Sequence, residues 1–365
     1  MQLDFFPSRT LTFYLARLFF SRIVAMLFVL VLVLMMLDLL GTSGDILAVP
    51  GNGQAEVLQY AMLRIPQLIA RFLPYAVLLA TIITLIALNQ NSEVVAMKAA
   101  GLSAHQVLAP LLLTAALFSA GSFLFNERVV TRATATLSAW EANDYAPVAA
   151  GSEVRTHVYL ADGPNILYAQ SITGTGDAMR MTGVTWYERT AQGMLVREVR
   201  APRAHYTGAG WQLQDARIFD VASARTALAR TMVVAPGLTP TEAALGKVDA
   251  EAIPFWRLKP VIDTLEGAGR RTAELRAQWW HKLSGPLSAF LMPLLGAVAA
   301  FGLARSGQLF VRAIVGMALG FAYFVVDNAA LAMGSFGGYP PFLAAWAPFV
   351  LFLFIGEAVL IRTEE

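Results

Sequence analysis

Residues 23–37 read IVAMLFVLVLVLMML, and the reading of this run decides the fold. It follows Arg9, Arg17 and Arg22, the charged-then-apolar order that a cleaved export signal also shows. The run is longer than the usual apolar core of such a signal. No small-x-small cleavage site follows it directly. It therefore reads as an uncleaved first span. A span needs about 20 predominantly apolar residues, and six stretches qualify: 18–40, 68–88, 107–125, 283–303, 313–333 and 341–361. Arg22, Arg71, Asp38, Asp327 and Glu357 are the charges they contain, mostly near their ends.

Composition agrees with a membrane chain. The 365 residues are 57% hydrophobic and 14% charged, with a mean hydropathy of +0.57. A soluble domain carries roughly a quarter charged residues. The formal net charge of +2 is small for a nucleic-acid-binding surface. There is no Cys, which excludes disulfides, thiolate zinc sites and cysteine nucleophiles.

Orientation follows from Lys and Arg in the short flanks. With six spans, Arg9, Arg17, Arg22, Lys98, Arg305, Arg312 and Arg362 fall on one side. On the other side, 41–67 has only Arg64 against Asp45 and Glu56, and 334–340 has no charge. Both termini are therefore expected in the cytoplasm. The long middle segment is expected outside, since long domains translocate largely regardless of charge.

That segment, about 126–282, is a different material. VTWYE (184–188), LVREV (195–199), GWQLQ (210–214) and RIFDV (217–221) alternate as half-buried strands do. Turn signals at 162–165 and 174–177 separate such runs. An antiparallel β-sandwich or an open, curved sheet is expected. Its flanks read as helical: 127–143 continues the third span, and 254–282 reads as an amphipathic helix broken near 267–269. The expected division is 1–143 for three spans, 144–254 for the β-domain, and 255–365 for a linker helix and three more spans.

Catalytic signatures are absent. The sequence has no G-x-x-x-x-G-K-[ST] and hence no ATP site of P-loop type. It has neither H-E-x-x-H nor G-x-S-x-G. His105, His157, His205 and His281 show no ligand spacing. A lipid-modifying enzyme is disfavoured for want of a catalytic constellation, and six spans are excessive for a plain membrane anchor.

Between the second and third spans lies NQNSEVVAMKAAG, residues 89–101. Written as a helix, it puts Val94, Val95, Ala99 and Leu102 on or near one face. Glu93 then sits in the first turn, either as an exposed acid stabilised by the helix dipole or as an ion-pair partner for another chain. Asp38, Asp327 and Glu357 are intramembrane or interfacial carboxylates. Interfacial or inter-subunit hydrogen bonding is preferred for them over a proton relay, which needs several aligned titratable groups. Pro74, Pro110, Pro286 and Pro293 interrupt spans, either as tolerated kinks or as shapers of a cavity. The small-residue run 296–302 permits close helix approach.

These motifs together resemble the LptF/LptG permease family of the lipopolysaccharide exporter. The likeness rests on LRIPQLIARFLP (63–74), SEVVAMKAAGLS (92–103), NERVV (126–130), LVREVRAPRAHY (195–206), GWQLQDA (210–216), WWHKLSGPLS (279–288) and YPPFLAAWAP (339–348). The second span, the coupling segment and the C-terminal half are more similar to the LptG branch, with the LptF branch as the alternative. The resemblance implies six transmembrane helices with an inserted periplasmic all-β jelly roll, in the inner membrane of a Gram-negative bacterium. It implies a heterodimer with an LptF-like chain, above a dimer of an LptB-like ATPase that holds ATP and Mg. This chain itself would bind no cofactor and catalyse nothing. An LptC-like protein would connect the jelly roll to a bridge of similar β-folds. Residues 91–101 would be the coupling helix, with Glu93, Val94, Met97 and Gly101 meeting the ATPase. Lipopolysaccharide would contact spans one, two and five, here through Leu34, Leu37, Phe72, Tyr75 and Phe321. One departure stands out: LDLLGTSGD (37–45) has acids and no Lys near the outer end of span one. This departure fits either a differently charged lipid A or contacts to lipid phosphates from Arg128, Arg132, Arg271 or Lys282 instead.

Overall fold

The structure, a computed structural model, describes residues 6–141, 144–146, 155–174, 176–240, 243, 249–267, 271–301 and 309–362. It divides into two compact units: 1–44, 55–135 and 250–365 form one, and 45–54 with 136–249 form the other.

Apolar runs become long helices, and Pro66, Pro74, Pro110, Pro286, Pro293 and Pro348 lie inside them without ending them. α1 spans Arg9–Ala48 and α2 spans Gln54–Gln90. A short α3, Glu93–Ala99, leads into α4, Ala104–Phe125. Ser103 opens α4 with a reciprocal cap: its hydroxyl accepts from the Gln106 N–H while the Gln106 side chain accepts from the Ser103 N–H. A π-helical turn, Asn126–Val130, joins α4 to α5, Thr131–Glu141, so the third span does continue as a helix. After the sheet come α6 (Phe255–Gly267), α7 (Ala273–Phe301), α8 (Leu309–Ser335) and α9 (Pro341–Arg362). The break expected near 267–269 lies between α6 and α7; residues 268 and 269 are outside the described ones.

Among the described residues, five segments are long and apolar enough to cross a membrane: Arg9–Ala48, Gln54–Gln90, Ala104–Glu141, Ile314–Ser335 and Pro341–Ala358. The expected span 283–303 is helical up to Phe301, and 302–303 are not described. One apolar core joins the helices, with Phe19 of α1, Leu85 of α2, Leu108 of α4, Leu295 of α7, Tyr323 of α8 and Phe352 of α9. α1 is the least enclosed: 11% of its most apolar window is buried, against 61% for α2. Much of α1 therefore faces lipid or another molecule. Small residues set the closest helix contacts. A Cβ on Gly334 of α8 would lie 2.3 Å from the Ala344 Cβ of α9, and one on Gly320 would lie 2.2 Å from a Leu78 methyl of α2.

The second unit is a six-stranded antiparallel sheet in sequential order. Its strands are β1 (Arg155–Asp162), β2 (Asn165–Thr173), β3 (Arg180–Arg189), β4 (Leu195–Tyr206), β5 (Trp211–Asp220) and β6 (Arg225–Val234). Each connection joins neighbours, so among the described residues this is an up-and-down meander, the open-sheet form of the two expected. The turn signal at 162–165 becomes the β1–β2 hairpin, with Gly163 at φ 59°. The runs 210–214 and 217–221, read as two strands, are one. Asp215 adopts φ 53° inside β5, and this left-handed residue kinks the strand without ending it. One face carries the core, including Leu167, Met181, Trp186, Val199 and Leu213. Trp211 is fully buried there and donates its indole N–H to the Leu238 carbonyl at 2.8 Å.

The Gly334–Ala344 contact leaves no flexible side chain to move aside. Gly334→Leu is expected to destabilise the helical unit by about 1–3 kcal/mol through overpacking. Thermal unfolding in detergent, followed by tryptophan fluorescence, measures this; an unchanged midpoint contradicts the packing described.

Candidate functional site

The segment between α2 and α4 is defined at both ends by its backbone. Ser92 enters α3 at φ 59°. At the far end Gly101, at φ 85°, donates its N–H to the Lys98 carbonyl, and Leu102 donates to the Met97 carbonyl. These two bonds form a Schellman stop, which favours Gly at that position because a Cβ is strained there. Gly101 thus fixes where the helix ends, and its surroundings are open.

The inward face of α3 differs from the expected one. Val94 and Met97, three residues apart, are 4% and 8% exposed and belong to the core of the helical unit; Leu102 packs against the same core. Val95 is 64% exposed, and Ala96, Lys98 and Ala99 also face outward. Two stripes were available to a seven-residue helix with apolar side chains at 94, 95 and 97, and packing on its own chain selects 94/97. Val94 and Met97 therefore anchor the segment, leaving the other face for any outside contact.

Glu93 is not a solitary acid. The Tyr14 hydroxyl of α1 donates to its carboxylate at 3.0 and 3.3 Å, and the Asn91 amide lies at 3.4 Å. The coupling segment and the first span are thereby joined side chain to side chain.

A second tie sits further along α1. Asp38 accepts both arms of the Arg64 guanidinium at 3.2 Å and the Tyr60 hydroxyl at 2.7 Å. Arg64 also donates to Gln67 at 2.7 Å. Tyr14 and Asp38 are about 36 Å apart along the helix. The hydrocarbon layer is about 30 Å thick, so a helix of this separation is long enough to cross it. Asp38 bonds within its own chain, and does not need a second subunit for this.

Asp327 is buried on α8, with His281 of α7 at 3.9 Å, and its Oδ1 has no hydrogen-bond partner among the described residues. Glu357 of α9 meets His105 of α4 at 2.9 Å. Each bridges two helices, as interfacial carboxylates do. Among the described residues no group of three His, Asp or Glu side chains has a metal-binding arrangement.

The residues expected to meet lipid are spread over several elements. Leu34 is half-buried and Leu37 exposed on α1. Phe72 and Tyr75 are half-buried neighbours on α2, with ring centroids 5.6 Å apart. Tyr75 stacks on Phe324 of α8 at 3.7 Å, a partner that sequence order does not reveal. Phe321 is 64% exposed on α8. Arg128 lies on the π-helical turn and Arg132 on α5, both exposed, while Lys282 is half-buried on α7. Nothing in the sequence points to an apolar cavity of about 330 Å³ between α1, α2 and α4, lined by Phe20, Leu27, Leu73 and Phe118 among others.

Glu127, on the π-helical turn, fixes the start of α6. Both carboxylate oxygens accept the Phe255 N–H at 2.9 Å, placing a negative charge at a helix N-terminus where the dipole favours it. Trp279 of α7 stacks on the Phe255 ring at 4.8 Å and donates its indole N–H to the Phe255 carbonyl at 3.2 Å.

Comparison with known proteins bears on this arrangement. Residues 13–362 match the family described as "Lipopolysaccharide export system permease LptF/LptG". A lipopolysaccharide export system permease protein LptG of Escherichia coli (strain K12) is 25% identical over 366 residues, covering 98% of this chain and 99% of the relative. The protein of the same description in Haemophilus influenzae is 24% identical over 326 residues, covering 86% and 89% respectively. The chain belongs to the LptF/LptG family.

The Asp38–Arg64 pair is 22% and 28% exposed, so solvent screens part of it. Asp38→Ala is expected to cost about 1–2 kcal/mol, because Arg64 and Tyr60 lose their acceptor. Chemical denaturation of the detergent-solubilised protein tests this, and Asp38→Glu should recover part of the loss.

Proposed function

We propose, from its membership of the LptF/LptG family, that this chain is the LptG-type subunit of a lipopolysaccharide exporter in the bacterial inner membrane. Both termini lie in the cytoplasm and the β-domain in the periplasm. The chain pairs with an LptF-like subunit, and energy comes from ATP hydrolysed with Mg by an LptB-like dimer. An LptC-like protein continues the path beyond the β-domain.

One observation carries this reading: α3 is built as a docking element. Val94 and Met97 clamp it to the helical unit, Gly101 ends it, and Val95, Ala96, Lys98 and Ala99 face outward beside Glu93. The sequence has no P-loop of its own, so work must arrive from another chain, and α3 is a firm place to receive it. The positive-inside distribution of Lys and Arg supports a cytoplasmic position for this segment.

The bonds of Glu93 and Asp38 support a route for that work. A basic group of the ATPase engages the Glu93 oxygens from outside while Tyr14 holds them from within. Displacement of α3 then acts on α1. At its far end α1 carries α2 with it through Asp38 and Arg64. The exposed side chains of α1, with Leu37 and Phe28 at 61% and 67%, are the acyl-chain contacts that shift. Phe72, Tyr75 and Phe321 extend the apolar path, and Arg128, Arg132 and Lys282 serve the phosphates. The LptG-type assignment, over the LptF type, rests on the relatives described as LptG.

Two substitutions test this. Glu93→Lys reverses the charge offered to the ATPase and is expected to abolish lipopolysaccharide-stimulated ATP turnover in the reconstituted complex; normal turnover sinks the coupling role. Tyr14→Phe removes one hydrogen bond and keeps the ring. It should lower lipopolysaccharide release per ATP by about fivefold, the scale of a single hydrogen bond of roughly 1 kcal/mol, with the ATPase still co-purifying.

A further inference from the structure

On the sheet face opposite the core, registered pairs form one side-chain row that crosses all six strands, with Thr185 near its middle only 9% exposed. Tyr159 pairs with Tyr168, Tyr168 with Thr185, Thr185 with Arg200, Arg200 with Arg217, and Arg217 with Leu228. Paired residues in antiparallel strands share a face, so the six side chains stand in line over about 24 Å. The row is ordered by chemistry, with two tyrosines at one end, two arginines side by side, and a leucine that is 78% exposed.

Like charges directly opposite on neighbouring strands are destabilising. Arg200 has Glu198 beside it, but Arg217 and the nearby Arg230 have no ion-pair partner among the described residues. Arg200, Arg217 and Arg230 all line a groove of about 750 Å³ over β3 to β6. Gly183 and Asp215, both at positive φ, and Pro202 also line it. Glu198 offsets Arg200, so the excess positive charge of the groove comes from Arg217 and Arg230 against the one lining carboxylate, Asp215.

We infer that this row is a binding site for a phosphorylated saccharide, the head of the exported glycolipid; the inference rests on the lipopolysaccharide reading above. Guanidinium forks match phosphate oxygens two at a time. The Tyr159 and Tyr168 rings, with centroids 4.8 Å apart and Tyr159 65% exposed, offer aromatic faces to a sugar ring. From Tyr168 to Arg200 is two strand spacings, about 10 Å, the scale of one sugar and its phosphate. An acidic protein segment would use the arginines but gives no reason for the paired tyrosines on the same row.

The test uses the whole complex, with its sibling permease and ATPase, in nanodiscs. A photoreactive benzophenone side chain replaces Leu228. Purified lipopolysaccharide, either intact or treated to remove its phosphates, is supplied with ATP. Crosslinking to intact lipopolysaccharide is expected. It should fall about tenfold or more on phosphate removal, and equally in the Arg200→Gln, Arg217→Gln double variant, the scale for losing one or two charge-assisted bonds. That variant relieves the like-charge contact but also removes the Arg200–Glu198 ion pair; Arg217→Gln alone leaves that pair intact, should keep its unfolding midpoint and should still lower crosslinking, which separates lost binding from lost folding. Tyr159→Ala should lower the yield without changing its dependence on phosphate. Crosslinking that ignores phosphate removal and the arginine substitutions overturns the site, as does capture of an acidic protein in place of glycolipid. Release of lipopolysaccharide to a soluble acceptor is measured in parallel. Release without crosslinking overturns this site alone, whereas no release from the unsubstituted complex overturns the export reading itself.

Discussion

A hydrocarbon layer about 30 Å thick constrains everything in the helical unit. Polar side chains within it are costly unless paired, so polar ties between spans gather at its margins. α1 shows the result. It bonds through Tyr14 to Glu93 at one margin and through Asp38 to Arg64 and Tyr60 at the other. Beyond Arg22 and up to Asp38 its exposed face is apolar, with Val24, Phe28, Val29 and Leu32 all open. A helix held at both ends and free along one side is suited to move as a rod against lipid.

The ties give the chain a mechanical logic. α3 is too short to be stable alone, since isolated helices below about 12 residues are marginal. It persists because Val94 and Met97 are buried in the core and Gly101 closes its end. A segment so fixed transmits a push in place of absorbing it. The close contact at Gly334 is rigid in the same way: α8 lies against α9 there with no long side chain between them to give way. The sheet contributes a different material, a kinked surface on which Arg200 and Arg217 stand together at some cost in stability.

Legibility in the sequence followed the range of the interactions. Spans were readable because hydropathy is local; the run 23–37 needs no partner to be recognised. The Schellman stop was half-readable, since Gly101 is a natural helix end but its bonds to Lys98 and Met97 are not written in residue types. The inward face of α3 was not readable: Val94, Val95 and Met97 allow two stripes, and tertiary packing decides. Asp38 and Arg64, 26 residues apart, show no helical spacing that pairs them. In the sheet, the runs 210–214 and 217–221 gave no sign that they form one strand, because the alternation breaks at Asp215, whose left-handed backbone continues β5. The six-strand row needs five registers at once, which no single strand encodes.

The central claim is that energy enters through the outer face of α3 while its inner face belongs to the bundle. The absence of Cys from the natural sequence makes a direct measurement simple. Single cysteines at Val94, Val95, Met97 and Ala99 are treated with a short thiol-to-amine crosslinker in the complex with its ATPase. The account predicts capture of the ATPase from positions 95 and 99, lost on ATPase removal, and none from 94 and 97. Capture from 94 and 97 in preference to 95 and 99, or from none of the four, contradicts it.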